Sequence, residues 1–219
     1  MIGLRLSGFA PSVYTRAVRL ALHEKGLGYE FDEVDPFSPE GQETLRDLHP
    51  FGRVPVLDHY AFRVFETRAI LGYLEDAFDA PPLLPKGAKA RARVAQVVGI
   101  MDAYGYWPMV RQVFAHGVFR PRAGAPVDAK EVVAGLAASA PVLDALEDIA
   151  AAGLVLNGRE ITQADCVLAP MMDAFNQFAE GNAMLDKREG LAHWFDTVSK
   201  RPAFQEICVR QTPRPETLS

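Results

Sequence analysis

Ser12 and Tyr14 stand two positions apart in "GFAPSVYTRAVRLALHEKG", residues 8–26, where an apolar strand gives way to an amphipathic helix. Serine is favoured at a helix N-cap, where its oxygen accepts a hydrogen bond from a free backbone N–H. The same free N–H groups and the helix dipole favour an anion. Ser12 therefore reads either as a plain cap or as a hydroxyl that steadies a reactive anion brought in from outside. A second constellation lies in "HPFGRVPVLD" and "FETRAILGYLE". Proline at the start of a strand forfeits a ladder donor, so Pro55 needs a reason. If the Val54–Pro55 bond is cis, the N–H and C=O of Val54 face outward and can pair with an extended peptide as one more strand. Glu66 and Thr67 then mark a strand-to-helix junction. Thr67 reads as an N-cap. Glu66 beside free helix donors suits an α-amino acid group, its carboxylate on the N–H groups and hydroxyl and its ammonium on Glu66.

The elements that must position these residues follow from the apolar pattern. "IGLRL" and "YEFDEV" alternate as strands, as do "VPVLD" and "AFRVF"; Val13, Ala17, Leu20 and Ala21 recur at helical spacing with Arg16, Arg19 and Glu24 off that face, and Gly26 is a natural stop. "PEGQETLRDL" and "TRAILGYLEDAF" complete a βαβ, a helix and a ββα, a small α/β domain over residues 1–80. "APPLLPKG" interrupts the pattern with three prolines and provides a linker at residues 81–87. Residues 88–219 read as an all-helical bundle, with helices over 88–119 and 128–151 and kinks expected at Pro108 and Pro141. "TQADCVLAPMMDAFNQFA" and "LAHWFDTVSK" supply further helices. In "ITQAD", Thr162 caps, Asp165 reaches back and Ile161 packs on Cys166, so Asp165 and Cys166 read as structural.

Bulk properties exclude several classes. At 219 residues and 49% hydrophobic, the chain suits a globular protein of two units, and a net charge of −5 offers no basic footprint for nucleic acid. Lys86, Lys89, Arg91 and Arg93 form the one basic cluster and read as a solvated face. Neither a run of about 18 apolar residues nor a charged leader with an apolar core is found, so a cytoplasmic protein with no membrane partner is expected. Cys166 and Cys208 lack metal-ligand spacing, and no metal is expected.

In their order and spacing, "SVYTRAVRLAL", "HPFGRVPVLD", "ETRAILGYLE", the proline-rich linker, "LNGREITQADCVLAP" and "WFDTVSKRPAF" resemble the cytosolic glutathione transferase superfamily over essentially the whole chain. The resemblance implies a thioredoxin-like N-terminal domain that binds glutathione as co-substrate, and an all-helical domain that receives a small hydrophobic electrophile. It also implies a homodimer and a detoxifying conjugation. Ser12 matches the catalytic serine of the theta-, phi- and zeta-like branches, whose hydroxyl donates to the glutathione thiolate. A cysteine there would form a mixed disulfide instead. Val54 would pair with the cysteinyl backbone, Glu66 and Thr67 hold the γ-glutamyl end, and Arg53 meet the glycyl carboxylate. Tyr14, Tyr104, Trp107 and Arg111 would line the electrophile pocket, because Tyr104, Tyr106, Trp107, Met109 and Arg111 cannot all face inward on one helix. Tyr14 remains a rival thiol partner. Val13 and Tyr14 replace the zeta-like Ser–Cys pair, and Glu40 and Gly41 stand near where the phi-like branch has His–Lys, so no class is assigned. A glutathione-dependent isomerase or reductase is the alternative enzyme. A non-catalytic module of the same fold is the other alternative, though a scaffold needs none of Ser12, Val54–Pro55, Glu66 and Thr67.

Overall fold

Leu4 and Leu6 put the apolar side of β1 (Leu4–Gly8) into the core while Arg5 stays outside, and β1 takes the centre of a four-stranded sheet. The computed structural model describes residues 3–79 and 81–208; Ile2 of the first expected strand, Ala80 at the end of the expected α/β domain and residues 209–219 of the expected helical bundle lie outside them. β1 pairs parallel with β2 (Glu30–Glu33), Leu6 opposite Phe31, and antiparallel with β3 (Val56–His59), Leu6 opposite Leu57; β4 (Phe62–Phe65) closes the order β2-β1-β3-β4. The third strand starts at Val56 and not at Val54, which keeps Pro55, a residue with no N–H to give, out of the ladder. Helix α1 (Val13–Glu24) follows β1, α2 (Pro39–Leu48) precedes β3, and α3 (Thr67–Ala77) follows β4.

Helix α1 is covered nearly all round. Besides Val13, Ala17, Val18, Leu20, Ala21 and Leu22, it buries Thr15 and Arg16. Arg16, read from periodicity as lying off the apolar face, is buried because a second layer packs there. A buried guanidinium needs a counter-charge, and Asp173 of α7 (Gln163–Asn176) supplies it at 2.8 Å. Glu24 at the other end takes both arms of Arg201 at 2.6 and 2.8 Å, joining α1 to the start of α10 (Pro202–Ile207). Lys25, its side chain fully enclosed, donates to Glu75 of α3 and to the Pro81 carbonyl. Glu75 in turn accepts the N–H groups of Leu83 and Leu84, which fixes the proline-rich segment to the α/β part. Gly26 ends the helix at φ +64°, a conformation glycine adopts without a Cβ penalty.

Beyond the prolines the described chain is helical. Helix α4 (Ala88–Ile100) runs without a break into Met101–Phe119, which winds with wide π-type turns, and then into a short turn α5 (Arg120–Arg122). Pro108 lies inside the wide segment. Its ring would strike the carbonyl four residues back in a regular α-helix, and the wide winding relieves that clash where a kink is expected. Helix α6 (Ala129–Ala151), capped by Asp128, is one continuous element through Pro141. Its Gly135 lies so close to the wide segment that a Cβ would meet the Pro108 carbonyl oxygen at 2.8 Å. Helices α8 (Ala179–Leu185) and α9 (Glu189–Ser199) complete the bundle; α7 ends at Asn176, and the α8 turn was not legible in the pattern. None of the described helices is long and apolar enough to cross a membrane.

Helix α7 is buried on every side, so its first turn has no water to satisfy it. The fully buried Asp165 does that work. Its carboxylate accepts from the N–H and hydroxyl of Thr162 at 2.8 and 2.6 Å and from the Trp194 indole at 2.6 Å. Burial, opposed by these hydrogen bonds, raises its pKa, and burial likewise drives the Cys166 thiol well up, as suits a packed and unreactive cysteine. Replacing Asp165 by Ala orphans three donors, and a loss of about 3 kcal/mol is expected. The thermal midpoint should fall by roughly 6–12 °C in a melt followed by circular dichroism.

Candidate active site

A cleft of about 760 Å³ opens between the N-terminus of α1, the loop before β3, the start of α3 and the wide helical segment. Ser12 is the N-cap of α1, its Oγ accepting from the Thr15 N–H at 3.4 Å. A hydroxyl has one proton to donate as well as lone pairs, and that proton is given to no group among the described residues. The two roles open for Ser12 are therefore compatible: it caps through oxygen and can still donate to an anion.

Across the cleft, α3 begins at Thr67, and Glu66, not Thr67, occupies the N-cap position. Glu66 sits at φ 70° and ψ 117°, a conformation rare for a residue with a Cβ and costing about 1–3 kcal/mol. The distortion turns the chain abruptly from β4 into the helix. No side chain caps that end, and the first N–H to find a helical acceptor is Ile70, bonded to the Glu66 carbonyl at 2.9 Å. The earlier donors are thus free to meet a ligand. The Val54–Pro55 peptide is cis. Neither the N–H nor the C=O of Val54 pairs with another backbone group among the described residues. Arg53 is exposed at the rim and makes no ion pair among them.

Ser12, Tyr14, Arg53, Val54, Pro55, Glu66, Thr67, Trp107 and Arg111 all line this cleft, and Tyr104 does not. Tyr104 is 68% exposed. It stands two residues from both Asp102 and Tyr106, which do line the cleft, and two residues along a helix is about half a turn, so its side chain leaves by the other face. Met109 belongs to the core. Tyr14 packs its ring on Tyr106, centroids 4.9 Å apart, and donates its hydroxyl to Asp102 at 3.5 Å. Burial first, then the Asp102 charge, pushes the Tyr14 phenol well above its ordinary pKa, so it holds its proton firmly.

The sequence reading passed over several lining residues. His49 is buried, its Nδ1 accepting the Phe51 N–H at 3.0 Å, which places the proton of the neutral ring on Nε2, 3.9 Å from the Glu66 carboxylate. Burial lowers its pKa against the pull of Glu66, and Arg53 adds to the lowering. Asp102 faces Arg68 at 4.0 Å and its carboxyl is nonetheless raised, chiefly by burial. As the single carboxylate of the wide segment, Asp102 carried a signal that could have been used. Phe9, Phe37, Phe119 and Phe114 build an aromatic wall, with successive centroids 5.8, 6.3 and 6.0 Å apart, from stretches too distant in sequence to suggest it. A second depression of about 1040 Å³ lies at the opposite end of the sheet. Its Arg5 and Arg63 are satisfied by Glu30 and Asp58 at 2.8 and 2.7 Å, and it gathers none of the predicted residues.

Comparison with known proteins adds an independent line. Residues 6–82 match the family described as glutathione S-transferase, N-terminal domain. The chain is 30% identical over 198 residues to glutathione S-transferase F10 of Arabidopsis thaliana, covering 89% of this chain and 91% of that one. Among solved structures, glutathione S-transferase III in its apo form superposes with a TM-score of 0.80 at 28% identity, covering 97% of this chain and 99% of the other. Glutathione S-transferase-I, bound to lactoylglutathione, superposes at 0.79 with 23% identity, covering 94% and 98%.

The raised Asp102 carboxyl has a consequence in pH. Because its folded pKa lies above the unfolded value of about 3.9, the folded chain binds more protons between the two, and stability falls as pH rises through that window. Asp102→Asn should flatten this part of the profile, which urea unfolding of both proteins from about pH 3 to 6 measures.

Proposed function

Since the chain belongs to the glutathione S-transferase family and acts as a glutathione transferase, we propose that this cleft binds glutathione and an electrophile side by side, with Ser12 as the catalytic hydroxyl. The observation that carries the reading is the unspent Ser12 proton, facing the same cleft as an uncapped helix start and an unpaired Val54. The γ-glutamyl carboxylate would sit on the free N–H groups of α3 with the Thr67 hydroxyl, and its ammonium against Glu66. Val54 would take the cysteinyl N–H and C=O as one more strand, and Arg53 the glycyl carboxylate. The residues up to about 80 would hold glutathione and contribute Tyr14, and the helices after the proline-rich segment would supply Tyr106, Trp107 and Arg111 for the electrophile.

The chemistry then falls on two features of α1. Its N-terminal dipole favours negative charge, and the Ser12 O–H donates to sulfur; both hold the thiol as thiolate at neutral pH. The thiolate attacks an electrophilic carbon, a C–S bond forms, and the leaving group departs with its electron pair. Tyr14 is the weaker candidate because its hydroxyl already serves Asp102 and its proton is tightly held. The proposal extends to a homodimer, in which exposed Phe51, Phe62 and Tyr104 are available for a second copy to cover, and to a detoxifying role in the cytoplasm.

Titration calorimetry on the unmutated protein should give micromolar to millimolar glutathione affinity, and Glu66→Ala should weaken it by roughly 1–3 kcal/mol through loss of a charge-assisted partner. No heat of binding to the unmutated protein would overturn the reading. In ultraviolet titrations of bound glutathione, Ser12→Ala should raise the thiol pKa toward the free value of about 8.5, at about 1.4 kcal/mol per unit. Tyr14→Phe should leave it nearly unchanged; the reverse pattern would make Tyr14 the thiol's donor.

A further inference from the structure

Resting on the transferase reading of this cleft, we infer that its preferred electrophile is an arene carrying an acidic group, and that Arg111 reads the acid. The titratable and charged groups that face the cleft are His49, Arg53, Glu66, Arg68, Asp102 and Arg111. Arg68 has Asp102 at 4.0 Å, and Glu66 has His49 at 3.9 Å. Arg53 and Arg111 have no carboxylate partner among the described residues. Glutathione brings its own set of charges. Its glycyl carboxylate matches Arg53, its ammonium matches Glu66, its γ-glutamyl carboxylate matches the free N–H groups of α3, and its thiolate matches Ser12. When every charge of glutathione has a partner, Arg111 still has none.

Its surroundings say what kind of molecule would meet it. Arg111 is the one arginine or lysine of the wide segment, with Trp107 four residues before it and Phe114 and Ala115 three and four after, all lining the same cleft. The wall continues from Phe114 through Phe119 and Phe37 to Phe9, which precedes Ser12 by three residues. A flat aromatic ring fits such a wall, since ring pairs favour the offset and edge-on contacts it offers. A neutral ring would lay apolar surface beside the exposed Arg111 and offer it no counter-charge. A carboxylate, sulfonate or phosphonate on the ring would supply one, and the planar guanidinium accommodates such groups in two-pronged fashion. The preference thus arises as a difference between two ligands at one cation. For a chloroarene, the glutathione sulfur bonds to the ring carbon that bears chlorine, chloride leaves with the bonding pair, the thiol proton has already passed to solvent, and the acid group is unchanged.

The test compares a chloronitrobenzoate with its carboxamide, which has the same leaving group and nearly the same shape without the charge. Each rate is divided by the uncatalysed rate to remove intrinsic reactivity. The expected result for the unmutated protein is a kcat/KM ratio favouring the benzoate by about three- to tenfold, a range set by the exposure of Arg111. Arg111→Met should remove the preference and Arg111→Lys should keep much of it. Arg91→Met, on an exposed arginine of α4 outside the cleft, should leave the ratio where it was. Equal efficiency for the two substrates, or a preference that survives in Arg111→Met, overturns the inference and leaves the transferase reading standing. Turnover of neither substrate, together with no calorimetric signal for glutathione, removes the reading and the inference together.

Discussion

The burial of α1 between two layers is the constraint on which the rest of the molecule depends. A helix packed on a sheet usually keeps one face for water, and this one gives that face to α7 and α10. Arg16 is tolerated there only because Asp173 neutralises it, and Glu24 is held by both arms of Arg201. These contacts do more than join two halves of a chain. They leave the N-terminus of α1 as the one end of a rigid rod that opens toward the cleft, with Ser12 at its tip.

Given that placement, the chemistry of the cleft follows from backbone groups as much as from side chains. Among the described residues the first donors of α3 and both groups of Val54 have no backbone partner beside the cleft, a costly state in a buried interior and a useful one beside a peptide ligand. The helical half contributes a different surface, with aromatic rings and isolated charges carried on a wide-wound segment. One side of the cleft can therefore recognise an invariant peptide through main-chain geometry, while the other varies with its side chains. The division suits an enzyme with a fixed co-substrate and a selectable second one.

Much of this was legible in the sequence wherever local chemistry determines local structure. The strands, the α2 limits, the cap of α1 by Ser12 and the Thr162–Asp165 capping contact are short-range decisions made within a few residues. The capping role of Thr67 was misplaced because propensity favours threonine at that position, while the actual turn uses an unusual conformation of Glu66 that nothing in the residue type announces. Arg16 was misread because periodicity describes one face at a time and cannot show that a second layer will cover the other. The Tyr14–Asp102 contact spans 88 residues, and the phenylalanine wall depends on a Phe37–Phe119 contact between stretches almost as distant, so neither leaves a local mark. Pro108 signalled a disturbance without specifying that the winding would widen.

The conformation of Glu66 sets the protein's evolutionary latitude at that position. Glycine adopts a positive φ freely, so for the fold alone residue 66 would be better filled by glycine, and selection for stability alone would draw the position that way. A carboxylate persists there against that pull only if something outside the fold rewards it. The same position is thus one where improving thermal resistance and preserving ligand capture are opposed, and a search for a hardier variant that ignored ligand would be expected to find its gain by giving up the carboxylate.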